Sequence, residues 1–382
     1  MKILHVVGAR PNFMKVAPVM AAFSRRAQRL PITQRLVHTG QHYDRRMSEL
    51  FFEELGLPRP DINLDVGSAS HGAQTGRIME KFEAVLLDER PDLVMVVGDV
   101  NSTLACAVDA KKMGIPVAHV EAGLRSGDIA MPEEINRIVT DAISDLLFTT
   151  ERSAAHNCHG GEVHFVGNVM IDTLLAHRER ALARPTLHEL ELMEGDTPRP
   201  YAVLTLHRPS NVETRAMLAG LGEAIADVGR RMPVIFPVHP RTQARIAGFG
   251  LDGLFSAENG YRCIEPLGYL DFLNLMANAR AVLTDSGGVQ EETTILGVPC
   301  LTLRDNTERP ATVEQGTNRL VGASPAQVRA GIRAFLDERG HRPARVPELW
   351  DGHAADRIAD VVIDWWRGRI GESPQMNANE RK

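Results

Sequence analysis

Short apolar runs rich in β-branched residues alternate along the chain with longer stretches whose apolar residues recur at helical spacing. That alternation predicts a parallel sheet covered by helices on both faces. The pattern occurs twice. In the first half strands are expected at 3–7, 35–39, 93–97, 117–120, 146–149 and 163–166. In the second half they are expected at 202–205, 234–237, 262–264, 281–284, 300–303 and 319–321. Residues 177–200, HRERALARPTLHELELMEGDTPRP, are charged, end in prolines and start no strand, so they are read as a linker. The expected fold class is therefore α/β, with doubly wound Rossmann-like domains at 1–176 and 201–345. A last helix at about 353–368 presents Trp365 and Trp366 on an apolar face.

A chain of 382 residues agrees with two domains at roughly 100–200 residues each. The formal net charge is −6, so no global positive field recruits nucleic acid or an anionic membrane, and an anionic ligand must be held by a local basic pocket. Cys106, Cys158, Cys263 and Cys300 lack CxxC spacing, which argues against a zinc cluster or a disulfide framework. No apolar run approaches the length of a membrane span. A cytoplasmic enzyme without metal is expected.

In doubly wound sheets ligands bind beyond the carboxyl ends of the strands, so residues just after each run carry the information. Asp285-Ser286-Gly287-Gly288 follows AVLT and precedes the helical pattern VQEETTILG. Two glycines let a phosphate approach N–H groups at a positive helix end, and Ser286 adds a hydroxyl donor. Glu292, one turn on, can accept hydrogen bonds from two ribose hydroxyls. The plainer reading makes Ser286 a helix cap and the glycines a tight turn. The first strand ends in GARPNFMK, which lacks the GxGxxG spacing of a dinucleotide fingerprint, so bound NAD is disfavoured and no cofactor is expected. Arg10 and Lys15 bracket that turn, either to neutralise a diphosphate or as two solvated cations.

Asp99 and Glu121 end apolar runs, and Glu133 lies in MPEEINR at the opening of a helix. Each alone is commonly a helix cap; three converging on one cleft suit proton transfer, which needs carboxylates in contrasting environments. Glu134 points away if Glu133 points in. TLHRPSN places His207 and Arg208 after the first strand of the second half, where a donor can stabilise a departing phosphate, and PVHPRT places His239 and Arg241 after the next. RDNTERP holds Arg304, Glu308 and Arg309: an arginine to clamp a diphosphate, or an ion pair internal to the loop.

Taken in order from Ile3 to Gly322, GARPNFMKVAPV, TGQHYD, VVGDVNSTLA, HVEAGLRSGD, MPEEINR, LTLHRPSN, PVHPRT, LTDSGGVQEE and RDNTERPATVEQGT resemble the non-hydrolysing UDP-N-acetylglucosamine 2-epimerases. The resemblance implies a glycosyltransferase-B-like pair of Rossmann-like domains, a homodimer, and a last helix that crosses back to the N-terminal domain. It implies interconversion of UDP-N-acetylglucosamine and UDP-N-acetylmannosamine by elimination of UDP to a 2-acetamidoglucal and re-addition. By that resemblance Asp99, Glu121 and Glu133 match acid/base carboxylates and His207 an essential histidine. Arg10, Lys15, Phe272, Ser286, Gly287, Gly288, Glu292 and Arg309 match UDP-binding positions. Leu267 stands where some members have glutamine. Bacterial members can bind a second substrate as activator; Gln41 and His239 are the candidate positions here, whereas Asp44 replaces a glutamine of that site.

The same motifs are compatible with the 2-epimerase of UDP-2,3-diacetamido-glucuronic acid, echoed in SHGAQTGR, or with a glycosyltransferase of like architecture. A non-catalytic nucleotide-sugar sensor would keep the DSGGVQEE cradle but has no use for three carboxylates.

Overall fold

Runs such as Leu93–Val97 are buried at every position, so they have no polar face to show water and form interior strands of parallel sheets. The computed structural model describes residues 1–28, 30–40, 54–338 and 345–371. The first half builds a sheet from β1 (Lys2–Val7), β2 (Thr33–His38), β3 (Ile62–Asn63), β4 (Leu93–Val97), β5 (Val117–Ala122), β6 (Leu146–Thr149) and β7 (Glu162–Phe165). Its order is β3-β2-β1-β4-β5-β6-β7, and all pairings are parallel. The helices are α1 (Arg10–Ala27), α2 (His71–Glu89), α3 (Asn101–Lys112), α4 (Pro132–Ile143) and α5 (Val169–Leu182).

Residues 177–200 are more structured than the sequence suggests. Helix α5 continues to Leu182, α6 spans Thr186–Glu189, and β8 (Met193–Glu194) pairs antiparallel with β9 (Thr197–Pro198). The expectation that this segment starts no strand is corrected by its turn: Gly195 sits at φ +61, the first position of a two-residue hairpin loop where glycine meets no steric cost.

The second half repeats the architecture with β10 (Ala202–Thr205), β11 (Val234–Pro237), β12 (Tyr261–Ile264), β13 (Ala281–Thr284), β14 (Cys300–Thr302) and β15 (Asn318–Leu320), in the order β12-β11-β10-β13-β14-β15. Around it lie α7 (Pro209–Val212), α8 (Arg215–Gly229), α9 (Pro240–Gly248), α10 (Tyr269–Ala277), α11 (Gly287–Leu296), α12 (Pro310–Glu314) and α13 (Pro325–Asp337). The chain ends in α14 (Ala354–Gly371).

Apolar packing sets the halves against each other. Phe13 and Met14 of α1 and Leu174 of α5 share one apolar cluster with Tyr269, Leu273 and Val289 of the second half. Ile358 and Val362 of α14 pack with Ile3, Val19 and Phe23, and Asp172 of α5 accepts the N–H groups of Ala354 and Ala355 at 3.1 and 2.7 Å, satisfying the first turn of α14. Each sheet reverses direction beside its first strand, at β1/β4 and at β10/β13, which is where a doubly wound sheet opens a crevice. The two crevices face each other.

Candidate active site

The centre of this interface is a carboxylate on a distorted strand. Glu121 is the next-to-last residue of β5, with φ +74, and the β5–β6 register shifts between Val120 and Ala122. A bulge re-aims a side chain that regular alternation would direct to one face of the sheet. Glu121 is 3% exposed. Lys15 Nζ, on the second turn of α1, lies 2.8 and 2.7 Å from its two oxygens. Arg309 Nη2, from the other half, donates to it at 3.0 Å. Burial disfavours the charged carboxylate, but the charges of Lys15 and Arg309 outweigh it and hold the Glu121 carboxyl below its ordinary range.

Arg309 also reaches Glu291 of α11, Nε to Oε1 at 2.8 Å, and Asn168 Nδ2 donates to the same oxygen at 2.9 Å. Here burial wins: with no exposure, and with Glu121 nearby, the Glu291 carboxyl is pushed up to about 7 despite Arg309. A Cβ at Gly287 would stand 3.3 Å from the Arg309 guanidinium carbon, so the glycine at the start of α11 lets that arginine lie against the helix end.

Asp99 follows β4 and is clamped by Arg137 of α4, Nη1 to Oδ2 at 2.5 Å. Arg137 in turn donates Nε and Nη2 to Glu134 at 3.1 and 2.6 Å. Glu134 also accepts the backbone N–H groups of Ser126 and Gly127 at 3.0 Å each. Burial opposes that charge; these bonds hold its carboxyl below the ordinary range. Glu134 does turn inward to the protein, yet it reaches the cleft only through Arg137. Glu133, in the first turn of α4, is half-buried and has no hydrogen-bond or ion-pair partner among the described residues. Helix α4 is inverted: Glu134, Asn136, Arg137, Thr140 and Asp141 are buried, while Ile135 and Ile138 are exposed.

On the opposite wall His207 follows β10. Its Nδ1 lies 2.8 Å from Oδ1 of Asp285, because the register Thr205↔Thr284 sets the ends of β10 and β13 side by side. Asp285 has no exposure and also accepts the N–H groups of His207 and Arg208 and the Asn211 amide. Burial works against its charge, but His207 and these donors keep the Asp285 carboxyl below its usual range.

Ser286 is the N-cap of α11, but its side chain makes no capping bond, so the hydroxyl is not committed to the helix. The first-turn N–H groups at Gly287 and Gly288 have no intrahelical acceptor. Glu292 is buried and hydrogen-bonds Tyr269, whose hydroxyl is raised well above its ordinary value by burial and by that carboxylate. Phe272 packs with Leu267 against the cluster that joins the halves. Arg304 makes the internal ion pair of its loop, 2.8 Å from Glu308, and Arg309 alone of that loop's arginines crosses to Glu121.

His239 caps α9 through a bond from the Arg241 N–H, and its ring centroid is 6.5 Å from that of His207. The two histidines are therefore neighbours. Arg10 opens α1, and Gln41 lies outside the described residues. Sequence reading missed Glu291, Arg137 and the partnership of Asp285 with His207. Arg137 and Glu291 lie within MPEEINR and DSGGVQEE without a pattern that sets their partners, whereas pairing the two AVLT strands in register aligns the ends that carry His207 and Asp285.

Comparison with known proteins finds relatives over almost the whole chain. A sequence model of the UDP-N-acetylglucosamine 2-epimerase family matches residues 25–363. The chain is 42% identical over 372 residues to a UDP-N-acetylglucosamine 2-epimerase of Methanocaldococcus jannaschii, covering 95% of this chain and 99% of that one. It is 40% identical over 370 residues to the UDP-2,3-diacetamido-2,3-dideoxy-D-glucuronate 2-epimerase of Pseudomonas aeruginosa, covering 95% and 99%. A crystal structure of the M. jannaschii 2-epimerase in complex with UDP-GlcNAc and UDP superposes with a TM-score of 0.85 at 40% identity, over 95% of this chain and all of that one. The calicheamicin glycosyltransferase CalG4, at 14% identity and a TM-score of 0.52 over 97% of this chain and 99% of that one, shares the two-domain fold alone.

Proposed function

The chain belongs to the UDP-N-acetylglucosamine 2-epimerase family, and from that premise we propose that it inverts C2 of UDP-N-acetylglucosamine by eliminating and re-adding UDP. The observation that carries this reading is the meeting of Lys15, Glu121, Arg309 and Glu291 between the strand ends of two Rossmann-like halves. A cation pair beside a helix N-terminus suits a diphosphate, and carboxylates across from it suit proton transfer at the adjoining sugar.

The C2 proton is not adjacent to a carbonyl, so a base removes it only as the anomeric C–O bond breaks and its electron pair departs with UDP. Ser286, Gly287 and Gly288 with Lys15 and Arg309 hold the diphosphate, and Glu292 takes the ribose. His207, fixed by Asp285, donates toward the leaving phosphate. Asp99, Glu121 and Glu133 supply and accept the proton on the two faces of C2. The domain division that fits is 1–176 with 353–368 against 201–345.

Incubation with UDP-N-acetylglucosamine in deuterium oxide should place deuterium at C2 and yield the manno epimer. Exchange with the diacetamido glucuronic acid analogue alone would transfer the reading to that substrate, which the 40% identical P. aeruginosa enzyme carries in its name. No exchange with either would end it. We propose further that two copies pair through the surface of α4 that exposes Ile135 and Ile138, and that the enzyme is cytoplasmic; no helix among the described residues is long and apolar enough to cross a membrane.

A further inference from the structure

We propose that Glu121 is a stand-in for the substrate's diphosphate: in the ligand-free protein it occupies the Lys15–Arg309 cation pair, and the arriving diphosphate takes those cations from it. The inference rests on the UDP-sugar reading above and adds to it a switch at one carboxylate.

The two cations come from opposite halves, on α1 and on the loop before α12, and both end on Glu121 at 2.7–3.0 Å. All three side chains are at least nine-tenths buried. Water therefore screens them little, and each pairing is strong while it lasts. A diphosphate diester carries two negative charges. It cannot lie beside a carboxylate that already neutralises both cations without like-charge repulsion, and once it binds the cations Glu121 is left buried and without them.

A buried carboxylate stripped of its cations gains proton affinity and becomes a stronger base. Glu121 is therefore quiet while the site is empty and becomes a proton acceptor when substrate is in place. In the reaction its oxygen gains the C2 proton as the C1–O bond breaks, the electron pair leaves with UDP, and a C1–C2 double bond forms. The other titratable groups around it are His119 on its own strand, Glu291 on α11 and, acting on Arg309, Glu308 and Asp99. Glu291 shares Arg309 and loses it in the same event.

The test is UDP affinity measured by calorimetry at pH 7 and one fixed ionic strength. Glu121→Gln removes the competing charge, so UDP should bind about tenfold tighter, a change of about 1.4 kcal/mol, while deuterium exchange at C2 is lost. A folded variant whose UDP affinity is unchanged or weaker overturns the proposal. The wild-type protein gives a second measurement should the variant not fold. On binding UDP-N-acetylglucosamine, whose diphosphate diester does not itself titrate near neutrality, Glu291, whose carboxyl stands at about 7 with Arg309 beside it, should take up protons as Arg309 leaves for the diphosphate, read from binding heats in two buffers of different ionisation enthalpy, while Glu121 stays ionised to receive the C2 proton. Zero uptake, or release, overturns it. Wild-type protein that binds no UDP at all refutes instead the UDP-sugar reading beneath it.

Discussion

Replacing Arg137 with methionine should cost stability through a single named group, Glu134. Arg137 is 2% exposed and ends on two carboxylates. Asp99 retains a quarter of its side-chain exposure and can recover hydration. Glu134, 1% exposed, cannot. Removing one partner of a buried ion pair costs about 3–5 kcal/mol. The surviving bonds from Ser126 and Gly127 place this case at the lower end, about 3 kcal/mol.

At about 2–4 °C per kcal/mol for a domain of this size, the N-terminal half should melt about 6–12 °C lower. Tryptophan fluorescence reports that half: Trp350 bonds the Thr150 carbonyl, Trp365 packs on the α14 cluster, and Trp366 neighbours it on α14. The control is Glu134→Gln in the same variant. If the cost is an unpaired charge, neutralising it recovers about half of the loss; if the cost is lost packing, the second change only adds to it.

The pH dependence has a definite sign. In the wild type the Glu134 carboxyl is depressed by folding, so its contribution is present above the ordinary carboxylate range and is lost as pH falls through the folded value. In the variant the unpaired, buried carboxyl is raised instead, and its deficit shrinks on acidification. A loss below about 1 kcal/mol, or a deficit that grows on acidification, refutes the reasoning.

Asp285→Asn keeps the shape of the His207 partner but removes its charge; turnover should fall about 100-fold, with UDP affinity within about threefold and the pH profile of kcat displaced, whereas equal losses in both would make Asp285 a fold residue. Ile138→Asp places a charge on the exposed face of α4 and should convert a dimer to a monomer in analytical ultracentrifugation; an unchanged dimer moves the interface elsewhere. Gly287→Ala brings a methyl to 3.3 Å from the Arg309 guanidinium, so UDP affinity should drop about tenfold with little change in melting; an unchanged affinity would remove Arg309 from the diphosphate site.

Legibility in the sequence followed burial. The strands of both sheets stand out because parallel strands covered on both faces read as continuous apolar runs. Among the described strands of the two sheets only Ile62–Asn63 escaped, being two residues long at the edge of its sheet. Lys15, Asp99, Glu121, His207 and Arg309 were visible because each follows a strand or lies in a motif. Glu134 and Arg137 lie in MPEEINR and Glu291 in DSGGVQEE, but what each of them touches was not visible. A glutamate or arginine within a helix ordinarily faces water, and nothing local reveals that α4 turns its polar face inward or that α11 lies against α5. Those positions are decided by the meeting of the halves, which is a property of the assembled chain and of no single window.

The strain at Glu121 determines which partner must move. A non-glycine residue at φ +74 costs of order 1–3 kcal/mol and persists only where its surroundings over-determine it. Here the β5–β6 register resumes at Ala122, and the Asp141 carboxylate accepts the Gly123 N–H at 3.0 Å while it also binds His119 on the same strand. The backbone that aims Glu121 is thus tied on both sides of the bulge. Lys15 and Arg309 reach it on long side chains with several rotatable bonds, and they carry the freedom that Glu121 lacks. When an anion enters, the cations swing to it and the carboxylate stays. A base that must meet the same C2 position on every turnover belongs on the fixed member of such a trio, and the bulge in β5 is what fixes it.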